Sequence, residues 1–160
     1  MRMKAEIKKQ LLEKNQKELN SLKETLKTSE NLVQKGDLKS DGKYDTRATE
    51  ANYLADGLRQ RLNDLEHERL LLEDLPLRDL TSKDEVCIGA MVKIEHNHQK
   101  RWYYISPTSG GSLLNIEGEA LMVISVFSPI GREILDLTQN DEFEVEINDQ
   151  TRLYKILDIK

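Results

Sequence analysis

Lysine and aspartate alternate through Lys35-Gly36-Asp37-Leu38-Lys39-Ser40-Asp41-Gly42-Lys43-Tyr44-Asp45, with Lys35, Lys39 and Lys43 set between Asp37, Asp41 and Asp45. Carboxylate oxygens are the ligands that hard divalent cations take. The interleaved lysines leave the segment formally neutral and weaken its attraction for such a cation. Asp37 and Asp41 are therefore read in two ways: as oxygen donors to a divalent cation, or as solvated turn residues, with Asp41-Gly42 favouring a turn. Asp45, followed by Thr46, Arg47 and Ala48, has the placement of a helix N-cap. Tyr44 either touches a partner or packs across the end of a hairpin. Arg47 pairs either with a phosphate or with Glu50 one helical turn away, and exposed pairs of the second kind contribute little.

The remaining chemistry-bearing residues are scattered. His67, His96 and His98 lack cysteine or carboxylate partners at zinc-like spacing. Cys87 is the chain's single cysteine, so no internal disulfide forms, and its neighbours Val86 and Ile88 predict a buried thiol. Neither a strand-to-helix nucleophile motif nor a glycine-rich phosphate loop is present, which argues against an autonomous hydrolase or nucleotide-binding enzyme.

Two long helices must position the charged segment. Ile7, Leu11, Leu12, Leu19, Leu22, Leu26 and Val33 recur mostly at three-, four- and seven-residue steps without proline, which predicts one amphipathic helix. Ala48, Ala51, Leu54, Ala55, Leu58, Leu62, Leu65 and Leu72 repeat the pattern up to Pro76, which cannot sit in a helix interior. Gly36 and Gly42 argue for a turn between them and against the alternative of one longer helix that dimerises, so the two stripes are expected to pack on one another as an antiparallel coiled-coil hairpin, with Leu22 and Leu26 near Leu54 to Leu62. Residues 76–85 lose the helical period and read as a linker.

Beyond residue 85 the composition turns to β-formers. Strands are expected at Met91–Ile94, Trp102–Ile105, Leu121–Ser125, Phe143–Ile147 and Leu153–Ile159, with Asn148-Asp149-Gln150 as a hairpin turn. One helix is expected from Pro129 to Leu137, capped by Ser128 and with Pro129 in its first turn. The fold class is α+β: a helical hairpin over 1–75 with a charged tip at 35–45, a linker at 76–85, and an antiparallel sheet domain with one helix over 86–160.

Charge is unevenly placed along the 160 residues. Residues 1–80 hold sixteen Lys/Arg and sixteen Asp/Glu, whereas 81–160 hold eight and thirteen, which accounts for the whole net charge of −5. The mild basic excess of residues 1–30 does not argue for DNA or anionic lipid as the main ligand, and a protein partner is expected instead. No apolar stretch approaches a membrane span and the start lacks a signal-peptide core, so a cytoplasmic protein without a membrane partner is expected.

With both halves in place, the chain resembles the bacterial Gre-type transcript cleavage factors, which pair an N-terminal antiparallel coiled coil with a C-terminal FKBP-like sheet domain. In the tip, Gly36-Asp37-Leu38-Lys39 followed by Tyr44 matches the family's Gly-Asp-Leu-(Ser/Lys)-Glu-Asn-Ala-Glu-Tyr pattern in spacing. In the second half, Val123-Ile-Ser-Val-Phe-Ser-Pro-Ile-Gly-Arg-Glu-Ile-Leu135 followed by Asn140-Asp-Glu-Phe-Glu-Val145 is similar to the family's Ser-Pro-(Ile/Leu)-(Gly/Ala)-(Arg/Lys) and Gly-Asp-Glu-Val segments. The chain departs from the pattern where Ser40 occupies the second acidic tip position and Lys43 stands where Glu is common.

The resemblance implies a transcription elongation factor that binds RNA polymerase, inserts its coiled coil into the secondary channel and stimulates cleavage of backtracked RNA. The alternative it leaves open is a channel-binding regulator that modulates or inhibits the polymerase without cleavage. In the first case Asp37 and Asp41 are accessory residues that position Mg²⁺ shared with the polymerase active site, with no metal held by the free protein. Tyr44, Asp45 and Arg47 would support the tip, and Ser128, Pro129, Ile130, Gly131 and Arg132 would contact the polymerase. The factor would be a monomer and an accessory to another protein's active site, not itself an enzyme, meeting nucleic acid only within the polymerase complex. Two other classes are a prolyl isomerase, for which the expected apolar, aromatic-lined pocket is not evident, and a structural coiled-coil adaptor, which would tolerate loss of Asp37 and Asp41.

Overall fold

The computed structural model describes residues 2–36 and 43–160, and the side chains of 2–31 and 49–160. The chain forms two compact units, one of Leu12–Leu70 and one of Met1–Leu11 with Leu71–Lys160.

Helix α1 spans Arg2–Gly36 and α2 spans Lys43–Glu73. At about 1.5 Å per residue each is on the order of 50 Å long. Because α2 begins at Lys43, Asp45 lies within its first turn and not at the N-cap expected from Thr46 and Ala48. Within the Leu12–Leu70 unit, Arg59 pairs with Glu30 at 2.8 Å, Arg61 with Glu18 at 2.8 Å, and Asn15 Nδ2 donates to the Leu65 carbonyl at 3.0 Å. Early residues of α1 meet late residues of α2, which is the antiparallel hairpin that the two apolar stripes predict.

The seam runs through Ala51, Ala55, Leu58, Leu62 and Leu65 at alternating steps of four and three, with Ala55 and Leu65 fully buried. Leu54 does not belong to it and is 59% exposed. With Ala55 inside, Leu54 is rotated about 100° around the helix and points off the seam. Asn15 interrupts the apolar stripe of α1, buried at 5% exposure, and its Oδ1 has no hydrogen-bond partner. Arg59 and Arg61 each bridge to a second carboxylate on α2, Asp56 and Glu68; the hydrogen bonds to Glu30 and Glu18 first, and these second contacts after them, raise both guanidinium pKa values.

In the second unit the first turns of α1 bury Ile7 and Leu11, and Leu72 and Leu75 are buried beside the end of α2. The last turn of α2 carries no basic residue, so its orphan carbonyls are served from elsewhere. Lys8 Nζ donates to the Glu73 carbonyl at 2.7 Å and the Leu75 carbonyl at 3.2 Å, and Lys4 Nζ donates to the Arg78 carbonyl at 2.6 Å. Burial lowers the pKa of the Lys4 ammonium, an effect only partly offset by Asp79 and Cys87. A lysine whose folded pKa lies below its unfolded value costs stability while charged, and this cost fades as pH rises toward the unfolded value.

Six strands follow: β1 Met91–His96, β2 Gln99–Ser106, β3 Leu113–Ile116, β4 Glu119–Ser125, β5 Glu142–Ile147 and β6 Gln150–Ile159, with α3 at Pro129–Ile134 before β5. Their order in one sheet is β3-β4-β2-β1-β6-β5. Three hairpins close through two-residue turns in which both residues have positive φ: Asn97-His98, Glu117-Gly118 and Asn148-Asp149. Such turns match the right-handed twist of the strands they join. His96 therefore ends β1, stacked on Tyr154 at 4.5 Å with Nδ1 2.9 Å from the Leu153 carbonyl.

The sheet is mixed where an antiparallel one was expected, because β2 and β4 run parallel from Tyr103↔Met122 to Ser106↔Ser125. Parallel neighbours need a crossover. Residues 107–118 supply it and contain β3, a four-residue edge strand that the Ser- and Gly-rich surroundings conceal in the sequence. The core gathers Val86, Val92, Ile94, Ile105, Ile124, Ile134, Phe143, Val145, Tyr154, Ile156 and Ile159. Cys87 is only half-buried, not the buried thiol that its neighbours suggest, and Arg78 Nη1 lies 3.5 Å from its sulfur.

Candidate functional site

The two groups of residues singled out above lie in different parts of the structure. Asp37 and Asp41 fall outside the described residues, between the end of α1 at Gly36 and the start of α2 at Lys43. Tyr44, Asp45 and Arg47 belong to the first turns of α2, and their side chains fall outside the described set. Among the described residues no group of three or more His, Cys, Asp or Glu side chains is arranged to hold a metal ion.

The Ser125–Arg132 turn is built in detail. Ser128 is the N-cap of α3, with φ −74° and ψ 161°, and its Oγ accepts from the Gly131 N–H at 3.0 Å. The same hydroxyl donates to the Ser125 carbonyl at 2.7 Å, and the Ser128 N–H reaches that carbonyl at 3.0 Å. Ser125 Oγ accepts from the Phe127 N–H at 3.2 Å. A serine at each end of the turn thus satisfies backbone groups that the reversal from β4 into α3 would leave open. Pro129, which lacks the N–H that a first helical turn cannot use, follows the cap directly. Helix α3 stops at Ile134, short of Leu137, because Leu135 is extended at ψ 141° and Asp136 has φ 68°.

Within the predicted contact set, the side chains separate by what they touch. Ser128 is spent on the turn, Ile130 packs against the core, and Gly131 is buried. A Cβ at Gly131 would stand 1.9 Å from the Ser125 carbonyl oxygen. Gly131→Ala is therefore expected to cost about 3 kcal/mol of stability or more, read as a lowered urea midpoint with an unchanged slope. Pro129 and Arg132 remain exposed. Beside them Phe127 is 68% exposed, a large apolar side chain that was not singled out from the sequence. The available signal was its position immediately before Ser128-Pro129 at the surface end of a buried strand.

The family model described as "Transcription elongation factor, GreA/GreB, C-term" matches residues 81–160. The transcription elongation factor GreA of Lachnoclostridium phytofermentans is 27% identical over 145 residues, covering 89% of this chain and 83% of the relative. Among solved structures, GreA factor homolog 1 (Gfh1) of Thermus thermophilus is 20% identical with a TM-score of 0.40, over 93% of this chain and 94% of that one. A GreA/GreB elongation factor from Nitrosomonas europaea is also 20% identical, with a TM-score of 0.37, over 70% of this chain and 92% of that one.

Proposed function

The chain belongs to the GreA/GreB family of transcription elongation factors, and from that premise we propose that it binds RNA polymerase, inserts its helical hairpin into the secondary channel and stimulates cleavage of backtracked RNA. The observation that carries this reading is the antiparallel pairing of two helices of 35 and 31 residues on either side of the segment holding Asp37 and Asp41. Helices of this length deliver a short connecting segment to a site that a compact domain cannot enter.

On this reading the factor is an accessory to the polymerase active site. Asp37 and Asp41 are hard oxygen donors of the kind Mg²⁺ accepts, but two carboxylates among three lysines make a partial donor set, suited to completing a site and not to holding an ion alone. When bound there, Mg²⁺ would supply Lewis-acid activation for phosphodiester hydrolysis. The protein's part is to orient the two carboxylates. Docking is assigned to the face formed by Phe127, Pro129 and Arg132, which Ser128, Ile130 and Gly131 hold in shape.

Ser40 at the second acidic tip position favours one other reading, a channel-binding factor that restrains the polymerase without cleavage. A stalled, backtracked polymerase separates the two. Shortening of the labelled RNA 3′ end on addition of the protein supports the proposal. Inhibited synthesis with an intact 3′ end supports the restraint reading, and failure to bind core polymerase removes both.

A further inference from the structure

The chain's single tryptophan lies among cations in a unit whose sequence is otherwise acidic. Lys93 stands directly opposite Trp102 in the β1–β2 register, with its Nζ 5.9 Å from the ring centroid, and Lys160 Nζ lies 4.6 Å from the same ring. Lys100 and Arg101 precede Trp102 on β2 and are exposed. These four are half of the eight Lys/Arg in residues 81–160, against thirteen Asp/Glu.

They border an open cleft of about 500 Å³, lined in part by Lys93, Lys100, Arg101, Trp102, Tyr103 and Leu113. The cleft has a structural origin. Strand β2 pairs with β4 only from Tyr103 onward, so Gln99–Trp102 are held by β1 alone and their other edge is open toward the β3–β4 hairpin. Glu119 is the one carboxylate in the lining, and Glu95 lies 4.0 Å from Lys100 and Asp158 opposite Lys93. Leu113, 63% exposed, gives the rim an apolar surface.

We propose that this cleft binds single-stranded nucleic acid, with a base against Trp102 and the adjoining phosphates on Lys93, Lys100 and Arg101. Guanidinium and ammonium groups are the side chains that take phosphate, and an aromatic ring beside them supplies the stacking surface that a single strand offers and a duplex hides. The volume lies within the range of about 300–1,000 Å³ typical of specific small-ligand clefts. An acidic peptide would satisfy the cations but would make no use of the indole ring. The site is separate from the hairpin tip and goes beyond the expectation that nucleic acid is met only inside the polymerase complex.

Trp102 makes the test direct, because all tryptophan emission reports on the cleft. The full chain is titrated with a fluorescein-labelled 12-nucleotide oligouridylate, without polymerase, at rising salt. Expected are quenching of tryptophan emission, a matching rise in anisotropy, and affinity that falls steeply with salt as phosphate counterions are released. The double variant Lys100→Gln/Arg101→Gln, altered only at exposed positions, is expected to bind about tenfold more weakly or worse. Trp102→Phe should retain more affinity than Trp102→Leu, with circular dichroism confirming that each is folded. Three results would overturn the proposal: no quenching at low salt, equal binding by the Lys100/Arg101 variant, or equal binding of a polyglutamate peptide or of base-free polyphosphate.

Discussion

Asp37→Ala is expected to lower stimulated cleavage of backtracked RNA by about 10–100-fold, the usual cost of removing a group that supports a metal site, while leaving affinity for core polymerase unchanged. Asp41→Ala should act in the same direction. Both changes lie in the short connecting segment between the two helices, so a loss of cleavage with polymerase affinity retained identifies a contribution to chemistry and not to docking. Ser40→Glu is the complementary change. It adds a fourth carboxylate to a segment in which three lysines offset three aspartates, and should raise cleavage and lower the Mg²⁺ concentration that cleavage needs. Unchanged cleavage in both alanine variants would leave the tip with a purely spatial role and would favour the adaptor class.

A large effect on stability is expected from Gly89→Ala as well as from Gly131→Ala. Gly89 has φ +92°, a conformation that an L side chain enters at about 1–2 kcal/mol, and a Cβ there would lie 2.9 Å from the Pro76 carbonyl oxygen. The obstacle is backbone and cannot rotate away, which adds the strain of overpacking, about 1–3 kcal/mol. The Gly89 N–H also donates to the Ile105 carbonyl at 2.9 Å, so relief by moving the turn would break a bond at the edge of the core. Thermal unfolding followed by circular dichroism should show a midpoint lower by about 10 °C or more. A shift of only one or two degrees would mean that the passage of Pro76 over this turn is not fixed as described.

The two helices were legible because their apolar residues repeat over many turns, and α3 because Ser128-Pro129 is a start signal of chemical necessity. The hairpin turn at Asn148-Asp149 was legible for the same reason, since few residues accept positive φ. What escaped depends on contacts between distant segments. Parallel pairing of β2 with β4 cannot be read from either strand, because each is an apolar run compatible with both directions. Strand β3 is four residues long and carries too little pattern to stand out. Leu54 fits an i, i+3 step from Ala51 as well as Ala55 fits i, i+4, and only packing against α1 decides which is inside. Trp102 was read as a strand residue, which it is; its surrounding cations come together only when β1, β2 and the end of β6 align.

At the tip the position of the carboxylates was legible and their chemistry less so, since residues of another protein would complete the site. The docking face was assigned as a continuous run, Ser128 to Arg132, whereas the turn divides it into side chains facing inward and outward. Alternation of that kind follows from the hydrogen bonds of Ser125 and Ser128, which a motif records only as conserved spacing within a pattern.

Asn15 bears on how far the arms of the hairpin extend. Its amide has a partner at the Leu65 carbonyl, and a slip of one heptad would set Lys8 or Leu22 against that position instead. Either slip would shift one arm along the other by about 10 Å and would still offer the amide a helix carbonyl, that of Leu58 or Leu72. A polar group placed midway along the seam is therefore a thin place in a measuring rod: it gives up some cohesion there, while the apolar residues on either side set the length.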